Sequence, residues 1–155
     1  MALDEGDTIP DLALVDSDGA ELRLRDLVGQ KLVIYFYPKD DTSGCTKEAQ
    51  DFSQHRAAFD AAGVRLLGVS KDSPDKHRKF IDKYALTVPL ASDEPGAVLE
   101  AFGAWVEKSM YGKKYMGIER STFLFGADGR LAQAWRKVKV PGHAAAVLEA
   151  ARALG

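Results

Sequence analysis

The strongest constraint on this chain is the run Leu32-Val33-Ile34-Tyr35-Phe36-Tyr37, apolar or aromatic at every position and ended by Pro38. A strand with one wet face alternates apolar and polar residues, so an unbroken run of strand length is buried on both faces and belongs inside a sheet. Such a strand needs a covering layer on each side, and the rest of the sequence offers the material. Val64 to Ser70 reads as a second strand. Ser43 to Ala62 has helical spacing, with Ala49, Phe52, Phe59 and Ala62 on one stripe and Gly63 as a left-handed stop. Ser73 as N-cap and Pro74 at the first position open another helix, whose face is His77, Phe80, Ile81 and Tyr84. Pro141 is expected to open a last helix, with Ala144, Val147, Leu148, Ala151 and Leu154 on its stripe. Leu12–Val15 and Ala20–Leu24 flank Asp16-Ser17-Asp18-Gly19, and Ser121–Phe125 and Leu131–Trp135 flank Gly126-Ala127-Asp128-Gly129, two hairpin patterns. Val88–Ala91 adds a short strand and Ala97–Phe102 a short helix. The order ββ, βαβα, ββα predicts an α/β fold: a central mixed β-sheet flanked by helices, with an N-terminal β-hairpin.

The chain has 155 residues without repeat, low-complexity tract or linker, which predicts a single domain over residues 1–155. Its formal net charge of -2 argues against a nucleic-acid partner, whose footprint is a basic surface. Lys113, Lys114, Arg136, Lys137 and Lys139 read as solvated side chains. No apolar run reaches membrane-span length, and Met1 to Pro10 is acidic without an apolar core, so no membrane partner is expected. The single cysteine excludes an intramolecular disulfide and favours a reducing compartment, hence a cytoplasmic location.

That cysteine sits in Tyr37-Pro38-Lys39-Asp40-Asp41-Thr42-Ser43-Gly44-Cys45-Thr46. A buried strand ends, a polar loop follows, and a helix begins near Thr42 or Ser43, so Cys45 falls in the first helical turn. Ligands of open α/β sheets gather beyond the carboxyl ends of the strands, where this loop lies. The nucleophilic form of a thiol is the thiolate, only a few per cent of an ordinary cysteine at neutral pH. Making the thiolate dominant requires about 3 kcal/mol of preferential stabilisation, whereas an exposed helix terminus supplies roughly 0.3–1 kcal/mol. A second cation is needed, and arginine, always charged and with a rigid fork of donors, suits the task. The polar and small neighbours Ser43, Gly44, Thr46 and Lys47 speak against Cys45 as a merely buried apolar residue.

The spacing Pro38-x-x-x-Thr42-x-x-Cys45 resembles the active-site signature of the peroxiredoxins, and Phe36 to Glu48 resembles the bacterioferritin comigratory protein (peroxiredoxin Q) subfamily. Gly117-Ile118-Glu119-Arg120-Ser121-Thr122-Phe123-Leu124-Phe125 is similar to the subfamily's arginine-bearing strand. Gly6-Asp7-x-Ile9-Pro10-Asp11 and Gly68-Val69-Ser70-x-Asp72-Ser73 extend the likeness over nearly the whole chain. The resemblance implies a thioredoxin-like fold and reduction of hydrogen peroxide and organic hydroperoxides without cofactor or metal. Cys45 would be the peroxidatic nucleophile, Thr42 would bond the peroxide, Pro38 would shield the thiolate, and Arg120 would stabilise thiolate and developing charge. The N–H groups of Gly44 and Cys45 would complete the anion site.

One departure stands out. Subfamily members often carry a resolving cysteine five residues on, where Gln50 stands, or in the next helix near Phe80-Ile81. Neither position holds one here. A sulfenic acid on Cys45 would need an external thiol, from thioredoxin, glutaredoxin or glutathione, or a transient link between two chains. The expected assembly is a monomer or weak dimer. The histidines His55, His77 and His143 show no metal spacing and read as solvated or helix-face residues. A histidine within hydrogen-bond reach of Cys45 would revive a Cys-His hydrolase, and a peroxide-inert chain would point to a thioredoxin-fold binding module or holdase. Gly103 to Met116, with Trp105 and Tyr111, has weak periodicity that assigns it no element; ordinary partial burial is expected there, with a rim of the substrate pocket or a partner surface as the alternative.

Overall fold

The computed structural model describes residues 3–154. Strands β1 (Ala13–Asp16) and β2 (Glu21–Arg23) form the first hairpin, and a short 3-10 turn over Leu24–Leu27 leads to β3 (Lys31–Phe36). Helices α1 (Ser43–Gln54) and α2 (Arg56–Ala61) precede β4 (Val64–Ser70), α3 (Pro74–Tyr84) and β5 (Leu90–Ser92). Then come α4 (Ala97–Ala101), β6 (Trp105–Met110), β7 (Lys113–Ile118), β8 (Ser121–Phe125), β9 (Leu131–Trp135) and α5 (His143–Ala153).

Seven strands make one mixed sheet in the order β2-β1-β5-β4-β3-β8-β9. β3 pairs in parallel with β4 on one side and antiparallel with β8 on the other, so its backbone is bonded along both edges. Its side chains alternate between two separate apolar clusters. Leu32, Ile34 and Phe36 join Val98, Leu99 and Phe102 on one face. Val33, Tyr35 and Tyr37 join Phe52, Phe59, Phe80 and Val147 on the other, beneath α1, α2, α3 and α5. The period-2 geometry of a strand thus turns an unbroken apolar sequence into two cores.

Gly68 in β4 makes room for this arrangement. A Cβ there would stand 2.6 Å from the Tyr35 ring and 2.8 Å from Leu90. Gly68→Ala is expected to lower stability by roughly 1–2 kcal/mol, overpacking outweighing alanine's smaller entropy loss. A denaturant midpoint equal to the parent's would contradict the crowding.

Four local expectations need correction. The helix from Ser43 to Ala62 is two helices, broken at His55, whose ring Nδ1 takes the Asp51 carbonyl at 2.8 Å alongside the backbone N–H. The last helix begins at His143, because Gly142, with a φ of 75°, is its N-cap. The stretch Gly103–Met116, to which weak periodicity assigned no element, holds regular structure: β6 and β7 form an antiparallel ribbon around Tyr111 and Gly112, whose φ values of 52° and 78° are those of a tight hairpin turn. Nor is it uniformly half-buried, since Trp105 is partly covered while Tyr111 is 98% exposed. Of the histidines, His77 is buried on the helix face expected for it and His55 is half-buried, whereas His143 is buried rather than solvated. No helix among the described residues is long and apolar enough to cross a membrane.

Candidate active site

The end of β3, the start of α1 and the bend between β7 and β8 meet at one point. Thr42 is the N-cap of α1, and Ser43, Gly44 and Cys45 are its first three helical residues. Their N–H groups therefore lack intrahelical partners and present partial positive charge. Thr42 caps by position only: its side chain makes no cap bond, and its hydroxyl instead donates to the Lys39 carbonyl at 2.9 Å. Pro38 stands two positions past the last residue of β3, in the loop that leads to α1.

Arg120 lies in the bend just before β8 rather than within a strand. The Glu119 N–H donates to the Ala104 carbonyl at 2.8 Å and the Val138 N–H to the Arg120 carbonyl at 2.9 Å, so the bend is held on both sides. From there Arg120 Nη2 donates to Cys45 Sγ at 3.4 Å and Nη1 to Glu48 Oε1 at 2.6 Å. Gly44 keeps the space open, since a Cβ on it would stand 3.2 Å from Nη2. Cys45 itself is only 2% exposed and belongs to the apolar cluster that includes Tyr35 and Phe52. Its polar sequence neighbours gave no sign of that burial. It is both a packed residue and the acceptor of an arginine's hydrogen bond.

Glu48 is the site residue that sequence reading missed. It follows Cys45 by three positions on α1, hence on the same helix face, and is 1% exposed. Burial pushes its carboxyl up to about 7 even though Arg120 draws it down. Its Oε2 is buried with no hydrogen-bond partner, as is the hydroxyl of Tyr35. The tyrosine is raised well above its ordinary range by burial and by the negative charges of Glu48 and Cys45. Arg120 thus stands before a carboxyl and a thiol that compete for one guanidinium.

His143 supplies no second positive charge. Burial, then Arg120, push it down to about 4, so its ring is neutral at ordinary pH, and its Nε2 lies 2.8 Å from Thr122 Oγ1. Among the described residues the side-chain partner of Cys45 Sγ is Arg120 and no histidine, which removes the ground for a Cys-His hydrolase. The same residues hold no cluster of histidine, cysteine and carboxylates suited to a metal ion.

A thiol in the first turn of a helix, on a thioredoxin-like sheet and under an arginine, defines the class of the thioredoxin-fold thiol peroxidases. Comparison with known proteins agrees: the model of the AhpC/TSA family matches residues 6–134. Peroxiredoxin Bcp of Xanthomonas campestris pv. campestris is 52% identical over 143 residues, covering 92% of this chain and 89% of that protein. Peroxiredoxin Bcp of Bacillus subtilis is 46% identical, covering 96% and 95%. Among solved structures, Xanthomonas campestris peroxiredoxin Q superposes with a TM-score of 0.90 at 50% identity over 97% and 96% of the chains. Xylella fastidiosa PrxQ superposes with a TM-score of 0.93 at 41% identity over 99% and 98%. The chain belongs to the AhpC/TSA family, in its Bcp/peroxiredoxin Q branch, and is a thiol-dependent peroxidase.

Proposed function

We propose that Cys45 is the peroxidatic residue, that Thr42, Arg120, Pro38 and the N–H groups of Gly44 and Cys45 serve it, and that an external thiol completes the cycle. The observation that carries the reading is the Arg120 hydrogen bond to Cys45 Sγ in the first turn of α1. The thiolate attacks the terminal oxygen of a hydroperoxide in line. The sulfur–oxygen bond forms, the oxygen–oxygen bond breaks, and the alkoxide or hydroxide leaves, taking up a proton. Sulfur is oxidised by two electrons to a sulfenic acid and the peroxide is reduced to alcohol or water. Because the Thr42 hydroxyl donates to Lys39, its oxygen is free to accept the peroxide O–H. Arg120 and the first-turn N–H groups face the charge that spreads over the two oxygens. Glu48, titrating near neutral pH one turn away, is suited to supply the proton for the leaving group. Pro38, in the loop just beyond β3, is the residue that would shield the thiolate.

With one cysteine in the chain, the sulfenic acid is condensed by a thiol from outside: a sulfur–sulfur bond forms and water leaves. A second external thiol then attacks the mixed disulfide and restores Cys45. Thioredoxin, glutaredoxin and glutathione are the candidate reductants, and a reducing cytoplasm is the matching location for a monomer or weak dimer of this single domain. The Xanthomonas campestris bacterioferritin comigratory protein, 50% identical, has alkyl peroxide reduction activity, which supports alkyl hydroperoxides among the proposed substrates. Mass spectrometry after peroxide treatment is expected to show sulfenic, sulfinic or mixed-disulfide forms at Cys45. An unmodified Cys45 after excess peroxide would sink the mechanism.

A further inference from the structure

The loop that carries Pro38 and Thr42 is tied to α3 by a buried polar group that the reaction above leaves unused. Asp40 is 8% exposed and His77 is fully buried. The Asp40 carboxylate accepts from the Tyr37 hydroxyl through Oδ1 at 2.6 Å and meets His77 Nδ1 through Oδ2 at 2.7 Å. His77 Nε2 lies 3.0 Å from the Ala91 carbonyl in β5, so the two ring nitrogens face oxygen atoms on opposite sides and the ring bridges Asp40 to β5. The next residue repeats the attachment: Asp41, with a φ of 58°, accepts from Lys83 and Tyr84 near the end of α3.

A single peptide unit links this anchor to the reaction. The N–H of Asp40 donates to Asp72 Oδ2 at 2.8 Å, and the carbonyl of the same peptide, belonging to Lys39, receives the Thr42 hydroxyl at 2.9 Å. Turning that peptide turns the hydroxyl proton of Thr42, and with it the direction of the oxygen lone pairs. A buried network placed elsewhere would contribute only to the fold; this one holds the peptide that aims a reacting group.

We propose that His77 and Asp40 are positioning residues for peroxide reduction: the buried pair fixes the Lys39–Asp40 peptide and thereby the direction in which Thr42 offers its oxygen to the peroxide. The inference rests on the reading of Cys45 as the peroxidatic nucleophile. It separates two properties of the same thiol. Reaction with a peroxide needs Thr42 aimed, whereas alkylation of the thiolate does not.

The test compares the rate of Cys45 with hydrogen peroxide against its rate with iodoacetamide. His77→Gln keeps an amide where Nε2 stands and loses the donor to Asp40. His77→Asn keeps one where Nδ1 stands. His77→Gln is expected to slow the peroxide reaction by about 10–100-fold, the scale of a misaimed contact, with alkylation nearly unchanged. His77→Asn is expected to recover most of the peroxide rate. In a Thr42→Val background, His77→Gln is expected to add little, because the two act through one hydroxyl. Should His77→Gln fail to fold, Asp72→Ala removes the acceptor of the same peptide at a half-buried position and is expected to shift the ratio of the two rates the same way. A folded variant that loses both rates together, an unchanged peroxide rate, or equal effects of Asn and Gln would overturn the proposal. If instead the parent protein shows no preference of Cys45 for peroxide over iodoacetamide, it is the assignment of Cys45 that fails.

Discussion

Arg120→Ala is expected to slow the reaction of Cys45 with hydrogen peroxide by about 10²–10³-fold, the usual loss when one donor to a developing oxyanion is removed. The geometry explains why one residue carries so much. A helix terminus contributes roughly 0.3–1 kcal/mol to a neighbouring anion, and His143, held down to about 4 by burial and by Arg120 itself, is uncharged. Arg120 is therefore the cation in contact with the sulfur, at 3.4 Å through Nη2. Arg120→Lys keeps a charge but not a planar fork able to reach Cys45 and Glu48 together, so its rate should fall between those of parent and alanine variant. A different account would have Arg120 present only to neutralise buried Glu48. In that case Arg120→Ala should cost little in a Glu48→Gln background, whereas a group acting on the reacting sulfur costs about as much there as in the parent. Rapid-mixing rates for the four proteins decide between the two.

How much of this was legible in the sequence follows from how local each cause is. The run Leu32 to Tyr37 announced a strand buried on both faces, and the two apolar clusters on either side of β3 are that statement in three dimensions. Ser73 and Pro74 marked the start of α3 correctly, since N-capping needs only the next few residues, and Ser73 Oγ does accept the Lys76 N–H. The ribbon of β6 and β7 left no such mark. Of its positions only Ile118 is buried, so solvent permits lysine, glutamate and tyrosine on either face and the apolar alternation that reveals a strand never develops. At the site, the local pattern of strand end, polar loop and helix start placed Cys45 in a first helical turn, which the structure shows, while the roles of Pro38 and Thr42 came from resemblance. Arg120 came from resemblance too, and Glu48 was passed over because a glutamate in a helix next to lysine looks solvated. Its burial is created by Arg120, 72 residues away, and by the packing of α1 against the sheet. The His77–Asp40 contact spans 37 residues and was equally silent: the helix face of His77 was visible, its partner was not.

Glu48 leads to the second large effect, on stability. An ordinary glutamate titrates near 4.3, and Glu48 in the folded chain titrates at about 7. Between those two values the folded protein binds more protons at this residue than the unfolded one, so stability falls as pH rises through the window and the loss is complete above it. At about 1.4 kcal/mol for each pH unit of difference, the carboxylate form costs roughly 4 kcal/mol. Glu48→Gln has no such loss. Its stability relative to the parent is expected to rise by up to that amount between about pH 4.5 and pH 8, read from denaturant midpoints at both ends. Comparing variant with parent cancels the other titrating groups, including His143, whose lowered value makes stability fall as pH drops through a similar range. If the difference is flat with pH, Arg120 fully compensates the buried carboxylate, and Glu48 then has no neutral-range proton to give. If the difference grows as expected while Glu48→Gln also slows peroxide reduction, the same burial that weakens the fold is what holds a proton ready beside the sulfur. The site would then keep a destabilising group because the reaction needs its proton.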